Sequence, residues 1–216
     1  MGAMPARCLA KAVVFDMDGT LIESATVIPD AYISCVTAAG GPVYTRPEII
    51  QAYSVGPPEA MLTHLLGRPP RPEEVDGYHN RLEDLSHGVS VYLGVDNALR
   101  ALAKRVPLAV FTGASIRACR ILLGAAGLLS HFSALVGADE IERPKPHPDG
   151  IVTACKRVGV SSADAAYVGD APNDLEAARR SGALALAAGW GHQYRPGEPS
   201  DAVLARPGDL LAYVEG

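Results

Sequence analysis

The strongest constraint on the fold is an alternation. Short apolar runs at 11–15 (KAVVF), 106–111 (VPLAVF), 134–136 (ALV), 165–168 (AAYV) and 183–187 (ALALA) have the length and residue types of buried strands. Stretches of helical periodicity near 95–104, 116–126, 149–158 and 174–181 separate them. Strand and helix in turn predict an α/β fold, a doubly wound, mostly parallel sheet with helices on both faces. Residues 22–88 interrupt the rhythm. They hold four helical patterns (24–39, 46–53, 57–66 and 72–86), punctuated by GGP, GPP and GRPPRP, and no convincing strand. The expected organisation is a core of residues 1–21 and 89–216, with an α-helical cap of residues 22–88 inserted after the first strand. The tail from Gly189 is rich in Gly and Pro and predicts one short helix near 208–214.

Composition removes several classes. A net charge of −5, with no basic run longer than two residues, argues against a nucleic-acid surface. No apolar stretch reaches the ~18 residues that span a bilayer, and no secretory leader pattern opens the chain. Cys8, Cys35, Cys119 and Cys155 show neither CxxC nor a Cys/His metal spacing. They read as reduced thiols of a cytoplasmic protein. Oligomeric state, monomer or homodimer, is open.

Chemistry collects at the strand ends. Asp16, Asp18, Gly19 and Thr20 follow the first strand, and Thr112 and Gly113 follow the second, in VFTGAS. Lys145 lies near the third, in ERPKPHPDG, and Asp170 and Asp174 follow the fourth, in YVGDAPNDLEAA. In open α/β sheets ligands bind beyond the carboxyl ends of the strands, so these residues can share one crevice. Clustered carboxylates stay ionised only if a cation answers them. An all-oxygen set suits Mg²⁺ before Zn²⁺. Lys145 adds a fixed positive charge, Thr112 a hydroxyl donor, and Gly113 access to backbone amides. Cation, ammonium and aimed donors together describe a site for a phosphoryl group, which an aspartate can attack. Asp16, first off the strand, is the best-fixed nucleophile. Asp18 is placed to be the acid and base.

These four motifs, DMDGT at 16–20, FTG at 111–113, Lys145 in RPKPHPD and GDAPND at 169–174, resemble those of the haloacid dehalogenase superfamily of phosphohydrolases. The likeness runs from residue 11 to about 213. It is to the branch with a helical cap and a Rossmann-like core that includes phosphoglycolate phosphatases and β-phosphoglucomutases. It implies a Mg²⁺-dependent phosphatase acting on a small-molecule phosphate monoester through an aspartyl phosphate. Asp16 would be nucleophile and metal ligand, and Asp18 the acid/base, binding the metal through its carbonyl. Thr112 and the Gly113 amide would hold phosphoryl oxygens, with Lys145 bridging phosphate and nucleophile. Asp170 would bind the metal, and Asp174 would orient metal-bound water or Lys145. Phosphoglycolate is the default substrate by resemblance; other phosphate esters are equally open.

Several readings compete. A receiver-type signalling domain uses similar residues, but in a different order and a shorter chain. Dehalogenation does not need Asp18. Phosphonate hydrolysis needs a cap lysine, and 22–88 has none. A phosphosugar mutase is the alternative. Such mutases commonly carry Glu-Asp where this chain has Gly169-Asp170, and basic cap residues near the first motif, where 22–45 has none. Of the cap's Arg46, Arg68, Arg71 and Arg81, any one could face the crevice. His147 reads as a surface-loop residue and Trp190 as loop packing. Glu23 stands at the hinge, where Asp is commoner.

Overall fold

The computed structural model describes residues 9–216; Cys8 lies outside the described residues. In chain order the regular elements are β1 (Ala12–Phe15), β2 (Ile22–Glu23), α1 (Val27–Ala38), α2 (Arg46–Gln51), α3 (Pro58–Leu66), α4 (Pro72–Leu85), β3 (Ser90–Val91), α5 (Val95–Leu102), β4 (Leu108–Phe111), α6 (Ile116–Ala125), β5 (Ala134–Val136), α7 (Asp149–Arg157), β6 (Ala165–Gly169), α8 (Pro172–Ser181), β7 (Leu184–Ala188) and β8 (Ala202–Leu204). Six strands form one sheet in the order β5-β4-β1-β6-β7-β8. Every pairing in it is parallel. The α/β, doubly wound architecture expected from the alternation is present.

The pleat sorts each strand onto two faces. Val13 and Phe15, with Val110 and Val168, join one apolar cluster. Ala12 and Val14, with Phe111 and Tyr167, join another against Ile151 of α7 and Ala177 of α8. Burial on both faces explains why the strand sequences run apolar without alternation. The first cluster continues into the helical segment between β2 and β3, taking in Tyr32, Leu62 and Leu82.

The helix starts in that segment follow a simple rule. Pro47, Pro58 and Pro72 stand in the first turns of α2, α3 and α4, where no intrahelical N–H is needed. A buried contact then ties α4 to α6. His79 Nδ1 bonds to the Val75 carbonyl at 2.9 Å, which makes Nε2 the acceptor for the Ser115 hydroxyl at 2.8 Å. Ser115 in turn caps α6 by accepting from the Ala118 amide at 3.2 Å. Burial lowers the imidazole pKa and keeps it neutral.

Three details differ from the sequence expectation. The stretch expected to lack strands begins with β2, which pairs antiparallel with β3, Ile22 opposite Val91. Two-residue strands carry no readable periodicity. The tail contributes a sixth sheet strand, β8, beside β7, and the short helix near 208–214 is a 3-10 helix, Pro207–Tyr213.

One glycine shows how tightly the lower face is packed. A Cβ on Gly150 of α7 would lie 2.1 Å from the Phe111 ring. Gly150→Ala should therefore cost about 1–3 kcal/mol, roughly 2–12 °C in Tm. Thermal melts of the variant check this; an unchanged Tm would contradict the close helix-to-sheet packing.

Candidate active site

The registers Phe15↔Val110 and Phe15↔Val168 bring the carboxyl ends of β1, β4 and β6 level. Asp16, Thr112 and Asp170 are the residues immediately past those ends, so the sheet itself assembles them. The strand order turns outward in both directions from β1, which places the crevice at its tip.

Lys145 is the electrostatic centre. Its Nζ lies 2.5 Å from Asp16 Oδ1 and 2.7 Å from Asp174 Oδ1. It also stands over the rings of Phe111 and Tyr167, at 4.9 and 5.6 Å from their centroids. Burial alone would lower its pKa, but Asp16 and Asp174 outweigh burial and hold the ammonium charged. Asp174 serves three partners at once. Its Oδ1 also accepts from the Tyr167 hydroxyl at 3.1 Å, while Oδ2 accepts the Ala171 amide at 3.0 Å and caps α8. Both of its oxygens are engaged.

Asp170 is different. Its Oδ2 accepts the Gln193 amide at 2.8 Å, but its buried Oδ1 has no hydrogen-bond partner. Burial, with repulsion from Asp174 behind it, pushes its pKa up to about 6 even against the Gln193 bond. Asp16 is also raised well above the ordinary carboxylate value, by burial and by repulsion from Asp174, against the pull of Lys145. Asp16, Asp170 and Asp174 each bring a carboxylate oxygen within 4.8 Å of the others. Three buried carboxylates against one ammonium leave an excess of negative charge. A hard divalent cation fits that excess and the all-oxygen donor set, and the orphaned Asp170 oxygen is the donor waiting for one.

Asp18 lies outside this cluster of three. Its carboxyl accepts the Ser24 hydroxyl, and burial raises its pKa against that bond. The turn that carries it is tight: the amides of Leu21 and Ile22 both bond to the Met17 carbonyl, at 2.9 and 3.1 Å. Gly19 has φ +85°, and a Cβ there would strike Asp170 Oδ2 at 2.3 Å. Only glycine satisfies both the backbone and the close approach of the two acidic loops. Thr112 is fully buried, with its Oγ1 accepting the Ala114 amide at 3.1 Å. A Cβ on Gly113 would meet no atom within 4 Å, so that glycine leaves room over the site for a ligand.

Three contributors were not singled out from the sequence. Tyr167 steadies Asp174, the Gln193 amide holds Asp170, and a Cβ on Gly191 would meet that of Asp170 at 2.2 Å. Glu23, in β2, accepts the Tyr92 hydroxyl at 2.9 Å, and that hydroxyl lies 3.2 Å from His192 Nδ1. Trp190 packs in its loop and donates to the Thr20 carbonyl at 2.9 Å. His147 is half-buried in the Lys145 loop, its amide bonded to the Pro144 carbonyl at 2.9 Å.

A parallel sheet presenting aspartates and one lysine at a half-open cavity is an arrangement suited to binding and cleaving phosphate esters. The chain belongs to the haloacid dehalogenase-like hydrolases, whose family model matches residues 10–182. A phosphoglycolate phosphatase of Chromobacterium violaceum is 34% identical over 193 residues, 84% of this chain and 86% of that protein. A probable phosphatase, IndB, of Dickeya dadantii is 32% identical over 188 residues, 83% of this chain and 81% of its own. The crystal structure of CbbY from Rhodobacter sphaeroides in complex with phosphate superposes with a TM-score of 0.81 at 21% identity, covering 94% of this chain and 96% of that one. The last likeness concerns the fold.

Proposed function

We propose that the chain is a Mg²⁺-dependent phosphatase of small-molecule phosphate monoesters that works through a phosphorylated Asp16. One observation carries the reading: an ammonium shared by Asp16 and Asp174 beside a buried Asp170 oxygen with no partner. Asp16, Asp170 and the backbone carbonyl of Asp18 would hold the cation. Once bound, it would neutralise the phosphate's charge and that of Asp16, letting one anion approach another.

A carboxylate oxygen of Asp16 attacks phosphorus, and the bond from phosphorus to the leaving oxygen breaks. Asp18, whose pKa burial raises against the Ser24 bond, gives that oxygen its proton as the general acid, and the alcohol departs. A water then attacks the phosphorus of the aspartyl phosphate and returns a proton to Asp18. Inorganic phosphate leaves and Asp16 is restored. Lys145 spans Asp16 and the phosphoryl group, with Thr112 and the Gly113 amide on the remaining oxygens. Asp174 holds Lys145 in place.

Residues 22–88 act as a cap that excludes water during the reaction. The buried, unpaired thiols of Cys35, Cys119 and Cys155 support a reducing compartment, the cytoplasm. A screen of phosphate esters with Mg²⁺, using Asp16→Asn as the blank, tests the proposal. Phosphate release from at least one ester, absent in the blank, is the expected result.

A further inference from the structure

The active-site cavity, of ≈ 360 Å³, has two unlike walls. The core wall carries the acids and Lys145. The wall opposite is built by the helical segment from Ile28, Tyr32, Ile50, Tyr53, Met61 and Tyr78. Tyr32 and Tyr78 are stacked, with ring centroids 4.2 Å apart, and both are buried. The Tyr53 hydroxyl is buried and has no partner.

No cation stands on that wall. Among the described lining residues Lys145 is the one cationic side chain, and two carboxylates already claim it. All four arginines of 22–88 are exposed and engaged elsewhere. Arg46 pairs with Asp30 at 2.7 Å, Arg68 and Arg71 both pair with Glu74 at 2.8 Å, and Arg81 bonds Ser34 at 2.9 Å. The start of α3 borders the cavity at Gly56 and Pro58, but it offers an anion little. Its cap and first residue are Pro57 and Pro58, which have no N–H, and Glu59 follows.

A leaving group bearing a carboxylate or a second phosphate would lose its water against tyrosines and aliphatic side chains, with no counter-charge to meet it. We infer that the substrate is the phosphate monoester of an uncharged alcohol with a flat, aromatic body. Its ring packs against the apolar side chains of that wall, Tyr53 and Ile50 among them. This inference rests on the phosphatase reading above. It departs from phosphoglycolate, whose carboxylate has no partner here, and from a mutase, whose bisphosphate intermediate carries a second phosphate.

The test compares kcat/KM for benzyl phosphate and 2-phosphoglycolate, with Mg²⁺, in the wild type, Asp16→Asn and Gln51→Arg. Benzyl phosphate should be favoured on the order of 100-fold. Gln51 lines the cavity from the exposed end of α2, so Gln51→Arg brings a guanidinium to its rim without disturbing the core. It should raise the phosphoglycolate value at least about tenfold and narrow the ratio. Wild-type parity, or preference for phosphoglycolate, overturns the substrate class. If that activity vanishes in Asp16→Asn, the phosphatase reading still stands. Turnover of neither ester also overturns the class, and acetyl phosphate then shows separately whether Asp16-dependent hydrolysis survives.

Discussion

Asp16→Asn should abolish turnover while leaving the fold in place. In the proposed mechanism Asp16 is the nucleophile, the one group whose loss no neighbour can cover. Asp18 faces Ser24, Asp170 is held by Gln193, and Asp174 has both oxygens engaged. An amide oxygen in place of the carboxylate is a far weaker nucleophile, so kcat should fall at least about 10⁴-fold. Stability should move the other way. Asp16 is buried and its pKa is raised, so the folded state binds its proton more tightly than the unfolded chain does. Stability is then lost as pH rises from the ordinary carboxylate range through the folded pKa. Above the ordinary carboxylate range the buried acid therefore opposes folding, and the neutral amide removes that opposition while Lys145 keeps Asp174. The melting temperature of the metal-free variant should equal or exceed that of the wild type. Steady-state phosphate release and thermal melts check the two halves. Residual activity above about 1% of wild type would reassign the nucleophile.

Part of this site was legible in the sequence because Asp16, Thr112 and Asp170 each sit one step past a strand. A reader who finds the strands finds Asp16, Thr112 and Asp170 at one edge, since parallel register levels the strand ends. Lys145 and Asp174 came from motif order and needed the fold to bring them within 2.7 Å of each other. What stayed hidden had weak local signals. β2 and β3 are two residues each, too short for a period, and β8 sits in a tail of Gly and Pro that reads as loop. Tyr167 offered a signal: in AAYVGD it is the only polar side chain of a buried strand, and a buried phenol must find a partner. The arginines show the opposite limit. Composition puts four of them in the helical segment, yet their acidic partners and outward placement decide that none reaches the cavity. Charge content was legible; charge direction was a property of packing.

Removing the divalent cation should stop hydrolysis, and restoring Mg²⁺ should bring it back. A second readout separates a true site from a general need for salt. Asp16, Asp170 and Asp174 crowd their oxygens within 4.8 Å, and the Asp170 oxygen without a partner lies buried. A cation that binds the folded chain alone stabilises it by RT ln(1 + [L]/Kd), ~2.7 kcal/mol when the ion exceeds Kd a hundredfold. Mg²⁺ should therefore raise Tm by roughly 5–10 °C over the EDTA-treated protein. The gain should depend on pH with a definite sign. Asp170 is pushed up to about 6 and Asp16 is raised too, so near pH 5 protons compete with the ion. At pH 7.5 Asp170 is ionised, and the metal-free protein bears its unrelieved charge. The Mg²⁺ increment in Tm should thus be larger at pH 7.5 than at pH 5. In Asp170→Asn it should shrink at both, with the basal melt preserved or raised, because the orphaned charge is gone. A Tm indifferent to Mg²⁺ at pH 7.5, or full activity in EDTA, would leave the buried Asp170 oxygen without its proposed partner and take the metal out of the mechanism.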